Sequence, residues 1–152
     1  MVVAQALRWD YDGRMAAGPH KNWGWNPPKL SPPKVPAALK AEVEQIAQEL
    51  IDKVLKPEHV RPRSKDHRWN YIIDLFTKWH RSYFYFCAKY CSPGPDAISP
   101  DFETKFARLE YVGERRFNLS FMRHTGQWVE VHPALTLESC MSEIQAGGFF
   151  TP

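Results

Sequence analysis

Two glycine-bearing corners, Gly113-Glu114 and Thr125-Gly126, interrupt one run of alternating side chains, and they limit what this chain can fold into. Residues 102–132 around them predict three antiparallel strands. A two-residue loop at Thr125-Gly126 sets His124 opposite Gln127, Arg123 opposite Trp128, Met122 opposite Val129 and Phe121 opposite Glu130. The same geometry at Gly113-Glu114 sets Tyr111 against Arg116, Leu109 against Asn118 and Ala107 against Ser120. Side chains alternate between the faces of a strand, so this register sorts them. One face carries Phe106, Arg108, Glu110, Phe117, Leu119, Phe121, Arg123, Trp128, Glu130 and His132. The other carries Ala107, Leu109, Tyr111, Asn118, Ser120, Met122, Val129 and Val131, a smoother surface suited to a packed helix. The mixed aromatic and charged face is then left partly open. Everything here depends on register, because a slip of one residue exchanges the faces of a strand.

The remaining elements supply the cover. Leu39, Val43, Ile46, Leu50 and Val54 recur at steps of three and four, widened by Ala47 and Ile51, and predict a helix over 37–55. Pro36 can start that helix and Pro57 is expected to stop it. Residues 59–68 read as a polar, solvated connector whose Arg61, Arg63, Lys65 and Arg68 are interrupted by Asp66. Residues 69–91 fit a helical heptad at Ile72, Phe76, Trp79, Tyr83, Phe86 and Tyr90, yet those residues are β-branched or aromatic. Two strands, about 71–79 and 83–91 and turning near His80-Arg81-Ser82, give the aromatics a sheet to join. His132-Pro133 is expected to close the last strand. Thr136 then reads as the N-cap of a short helix over 136–145 with Leu137, Cys140, Met141 and Ile144 as its apolar stripe, and Phe149-Phe150 tuck back onto the body. The fold class is α+β: an antiparallel meander of about five strands covered by an N-terminal helix and a short C-terminal helix.

An arm, residues 1–36, precedes the single α+β domain of residues 37–152. It has no helical or strand period and holds six of the thirteen prolines, a composition that favours extended chain. It also carries Trp9, Trp23 and Trp25, half of the tryptophans, which argues for an arm pinned against its own body or another chain. Its five Lys or Arg and two Asp give +3, whereas residues 37–152 hold fifteen charges of each sign. The whole charge excess therefore sits on the arm. MVVAQAL is too short for a signal-peptide core before Arg8 and Asp10, and no apolar run approaches a membrane span, so a cytoplasmic location is expected.

The order of these elements resembles a bacterial family of unknown function. The likeness is carried by Phe106 to Tyr111, Arg116 to Met122, Gly126-Gln127-Trp128, Leu137 to Ile144 and Phe149-Phe150, over roughly residues 70–150, with Thr151 where the family has Gly. The resemblance implies helix, antiparallel strands, a hairpin with Trp just past its turn, and a closing helix. It implies no activity and no site residues.

Known chemical motifs are missing: there is no Gly-x-Ser-x-Gly, Walker loop, His-Glu-x-x-His or Gly-x-Gly-x-x-Gly. Cys87 and Cys91 are spaced Cys-x3-Cys rather than as a zinc knuckle, so with Cys140 they read as buried thiols, and no metal or cofactor is expected. A non-catalytic binding or assembly subunit is the expected function, docking a protein partner or a second copy through Trp9, Trp23 and Trp25, with Arg123 and Trp128 on the sheet. Single-stranded nucleic acid is the alternative partner, held by stacking on Phe106, Phe117, Phe121 and Trp128 beside Arg108 and Arg123. A small enzyme built on Arg108, Glu110, Arg123, Glu130 and His132 is the third reading. No catalytic residue is assigned, and no membrane partner is expected.

Overall fold

Pro36 sits at the N-cap with extended backbone (φ −59°, ψ 142°) and starts α1 (Ala37–Leu50). The structure, a computed structural model, describes residues 30–152; Trp9, Trp23 and Trp25 of the arm lie outside the described residues. Pro57 does not stop the helix at Leu55 as expected. A π turn (Ile51–Leu55) and a last α-helical turn, α2 (Lys56–His59), carry the rod to 23 residues. Proline lacks the ladder N–H and crowds the carbonyl four residues back, and the widened turn just ahead of Pro57 loosens that ladder. The extra residue also rotates the apolar stripe. Leu39, Val43, Ala47 and Leu50 are buried along α1, then Ile51 and Leu55, with Ile46 and Val54 flanking.

Five strands follow: β1 (Tyr71–His80), β2 (Tyr83–Cys91), β3 (Asp101–Gly113), β4 (Arg116–Met122) and β5 (Trp128–Leu135). They form one antiparallel meander in sequence order. Residues 69–91 are thus a hairpin, with His80 paired to Tyr83 around Arg81-Ser82. Arg81 takes the left-handed conformation that such a turn requires (φ 56°).

Both corners within 102–132 are turns, but each lies one residue from its expected place. Glu114 and Arg115 are the left-handed pair (φ 51° and 58°), closed by Gly113 and Arg116, with a bulge at Val112. Tyr111 therefore faces Phe117, Leu109 faces Leu119 and Ala107 faces Phe121. At the second corner the Arg123 N–H donates to the Gln127 carbonyl (2.9 Å) and the Gly126 N–H to the Arg123 carbonyl (2.9 Å). The loop is three residues long with Gly126 left-handed (φ 81°), so Met122 faces Trp128 and Phe121 faces Val129. The two slips cancel between β3 and the start of β5, so β4 is turned over, and the irregular pairing at Leu119-Ser120 turns His132 to the covered side as well. Phe117, Leu119 and Phe121 leave the mixed face for the core, exchanging with Asn118, Ser120 and Met122. Phe106 also joins the core, because a bulge between Phe86 and Cys87 shifts the β2–β3 pairing ahead of it.

The last strand does not close at His132-Pro133. It runs on to Leu135, since an edge strand tolerates proline on its unpaired side. The Thr136 side chain accepts from the Ser139 N–H (3.2 Å) and caps α3 (Leu137–Ala146), whose Leu137, Cys140, Met141 and Ile144 are all buried. Phe150 is buried, while the largely exposed Phe149 stacks on Phe121 at 4.7 Å. The helices and the inward residues of all five strands make one core on a single side of the sheet.

Turning β4 over predicts an unequal pair of substitutions. Phe117→Ala or Leu119→Ala removes a fully buried side chain and should cost about 3–5 kcal/mol in urea unfolding, whereas half-exposed Met122→Ala should cost about 1 kcal/mol. The reverse order would restore the two-residue loop at Thr125-Gly126.

Candidate functional site

The sheet face opposite the helices is built from residues that alternate with the core. Tyr83 and Tyr85 of β2, Lys105 and Arg108 of β3, Ser120 of β4 and Trp128 of β5 meet there. Tyr85 pairs with Arg108, and Arg108 with Ser120, across neighbouring strands. The Arg108 guanidinium lies between two rings, its Cζ 4.6 Å from the centre of Tyr83 and 4.7 Å from that of Trp128. Tyr85 tilts against both (6.1 Å to Tyr83, 5.7 Å to Trp128), and Lys105 Nζ sits 4.4 Å over the Tyr85 ring. Each such cation over a ring contributes roughly 0.5–2 kcal/mol, more as water is excluded. Tyr85, Cys87 and Ser120 are buried beneath these contacts although no described helix covers them.

Arg108 is unusual in its polar accounting. Its Nε is buried without a hydrogen-bond partner, and it joins no ion pair among the described residues. A guanidinium carries five N–H donors in a fixed fork. Two aromatic walls hold this fork in place and leave its edge free for a carboxylate or another planar acceptor. Lys78 and Lys105 share this side with Glu103, Glu110 and Glu130, so the surface has mixed charge rather than a basic field.

The expected site residues part company on this background. Trp128 and Arg108 stand together on the uncovered face. Arg123 is exposed at the β4–β5 turn and makes no stacking contact among the described residues. Phe106 and Phe117 are buried in the core and Phe121 is packed beneath Phe149, so none of the three presents a free ring to a nucleic-acid base. The Arg, Glu and His cluster does not converge either. His132 turns to Glu143 on α3 (3.3 Å), whereas Glu130 accepts from Asn118 (3.3 Å) on the uncovered side. Tyr83, Tyr85 and Lys105 are the site residues that sequence reasoning missed. Their alternation was visible, but the loop between β2 and β3 does not fix which residues of the two strands meet.

At the far end of the same face lies a groove of about 690 Å³ lined by Arg63, Lys65, Tyr71, Cys91 and the loop from Ser92. Arg63 belongs to the connector read as solvated, yet it bonds Asp101 at 2.8 Å and so lends this groove no free charge. That hydrogen bond holds the Asp101 carboxyl below its ordinary value, with Lys89 adding a weaker attraction. Burial pushes the Cys140 thiol up to about 12 and raises Cys87 as well. The three cysteines are free and buried, and no cluster of metal-ligating side chains occurs among the described residues. No described helix is long and apolar enough to cross a membrane.

A family model described as a domain of unknown function (DUF3024) matches residues 35–152. The match reaches back through the first helix, beyond the span of the resemblance seen in the sequence, and leaves residues 1–34 of the arm outside. No curated protein and no solved structure matches the chain.

Two measurements check the electrostatics. A carboxyl with a depressed folded pKa adds stability above its ordinary value of 3.8 and loses it as pH falls through the folded value. The Tm of Asp101→Asn should therefore be lower than wild type at neutral pH, with the gap closing in acid. Iodoacetamide at about pH 8 should leave Cys140 unmodified in the native protein and alkylate it in urea.

Proposed function

The chain belongs to the family described as a domain of unknown function (DUF3024), and we propose that it acts there as a non-catalytic binding module that docks a protein partner on its uncovered sheet face. The observation that carries this reading is Arg108, clamped between Tyr83 and Trp128 with its Nε unpartnered. Trp, Tyr and Arg are the residues that dominate interface energetics, and here they are already ordered. A pre-ordered fork loses less side-chain freedom on binding than a free arginine would. Its natural counterpart is an Asp or Glu of the partner, flanked by apolar groups over Tyr85 and Met122. The Pro- and Trp-rich arm supplies a second contact surface in this proposal, with Trp9, Trp23 and Trp25 as anchors and a basic charge that favours the same acidic partner.

The experiment is affinity purification of tagged wild-type chain from its own cells, beside Arg108→Ala, Trp128→Ala and a deletion of residues 1–34. A partner lost about tenfold or more in the two face variants, and bound by the purified wild-type protein, supports the reading. Identical partners and identical oligomeric state for all four chains would overturn it. A salt-dependent shift of labelled single-stranded RNA that disappears in Trp128→Ala would move the same residues to the nucleic-acid alternative.

A further inference from the structure

A meander leaves two strands with one side unpaired, and this sheet treats its two edges differently. The β5 edge is blunted. It contains Pro133, Ala134 is left-handed (φ 50°) with its N–H bonded to Asn118 Oδ1 (2.9 Å), and two bulges disturb its pairing with β4. Bulges, proline and strong local twist are how sheets keep other strands away. Between Leu75 and His80 the β1 edge has no bulge, proline or left-handed residue, and its one Lys there, Lys78, pairs with Tyr85 and so turns to the uncovered face rather than to the helices.

The phase of β1 fixes which backbone groups are free. His80 and Tyr83 close a two-residue loop, so they, Lys78 with Tyr85 and Phe76 with Cys87 are the pairs that exchange hydrogen bonds with β2. Leu75, Thr77 and Trp79 turn their N–H and C=O groups outward. One contact confirms the phase: the Leu75 N–H donates to its neighbour's Asp74 Oδ1 (2.9 Å) rather than to β2. At the strand's start the Ile72 carbonyl accepts from the Arg61 N–H (2.8 Å), so the connector already uses that end of the edge. Thr77 and Trp79 meet no described backbone group. Alongside them a groove of about 600 Å³ separates the strand from α1, lined by Ala41, Glu44, Gln45, Gln48, Thr77 and Lys78. Glu44 is exposed and forms no ion pair among the described residues, and Gln45 and Gln48 offer amides beside it.

We propose that this groove takes an extended peptide segment of a partner protein as a sixth strand. Its backbone exchanges hydrogen bonds with Thr77 and Trp79, and on the helix side it sets a Lys or Arg against Glu44. Main-chain pairing supplies affinity in such strand addition, and the alternating side chains supply selectivity. A second copy of this chain fits less well. Its own β1 turns Leu75, Thr77 and Trp79 to the helix side and has no cation there to set against Glu44. This edge is separate from the Arg108 face, so either site can fail without the other.

The probe is a displayed library of random peptides about ten residues long, panned on the full chain, with winners measured by fluorescence polarisation. Thr77→Pro removes an outward N–H while leaving the β1–β2 ladder whole, and Ala41→Trp fills the groove from an exposed helix position. Selected peptides should carry a basic residue, fail a proline scan at every second position, and bind both variants about tenfold or more weakly. Arg108→Ala should bind them as wild type does. Melting followed by circular dichroism shows whether Thr77→Pro folds, and Ala41→Trp decides if it does not. No enrichment, winners indifferent to Ala41→Trp, or a wild-type dimer that Thr77→Pro makes monomeric would each overturn the proposal.

Discussion

All of the described helices lie on one side of the sheet, and that one-sided burial governs the rest of the structure. Phe117 and Leu119 of β4 sit at the centre of the covered side, fully enclosed with Leu109, Phe84 and Phe86. Each such side chain withdraws enough apolar surface to contribute roughly 1.5–3 kcal/mol. Asn118 and Ser120 in their place would put unpartnered polar groups under the helices, at a comparable cost each. The turns yield to this term. Glu114 and Arg115 accept left-handed backbone, which costs a non-glycine residue of order 1 kcal/mol, because the alternative register would strand three large side chains in water.

The uncovered side solves a different problem. A sheet face without a helix still has interior strands, and β2, one of them, keeps Tyr85 and Cys87 out of solvent there. The cover comes from long side chains laid flat: Lys105 over Tyr85, and Arg108 between Tyr83 and Trp128. Arginine and lysine stems can shield apolar surface while their charged ends stay wet. The result is an ordered surface in which the Arg108 guanidinium joins no ion pair among the described residues.

Much of the architecture could be read from the chain because several local signals agreed. The stripe from Leu39 onward, the Thr136 cap with Leu137, Cys140, Met141 and Ile144, and the alternation on either side of the glycine corners each fixed an element. The hairpin over 69–91 was harder, since its aromatics also fit a heptad. Its β-branched and aromatic content pointed the right way. Of the candidate site, Arg108 and Trp128 were placed on one face only because two register errors cancelled. Tyr83 and Tyr85 were missed because the pairing of β2 with β3 depends on a nine-residue loop, Ser92 to Pro100, that imposes no register.

Element type, order and sidedness were set by the amino-acid sequence itself, through period, capping and turn residues, all of which act within a few residues. Register, the turned-over β4, the continuation of the helix through Pro57 and an edge at Thr77 that meets no described backbone group were decided by the tertiary structure. Those features compare the burial of side chains far apart in sequence against small local strains. A two-residue and a three-residue loop differ by little in local energy, and a sheet packed on one side settles the choice by what it must enclose.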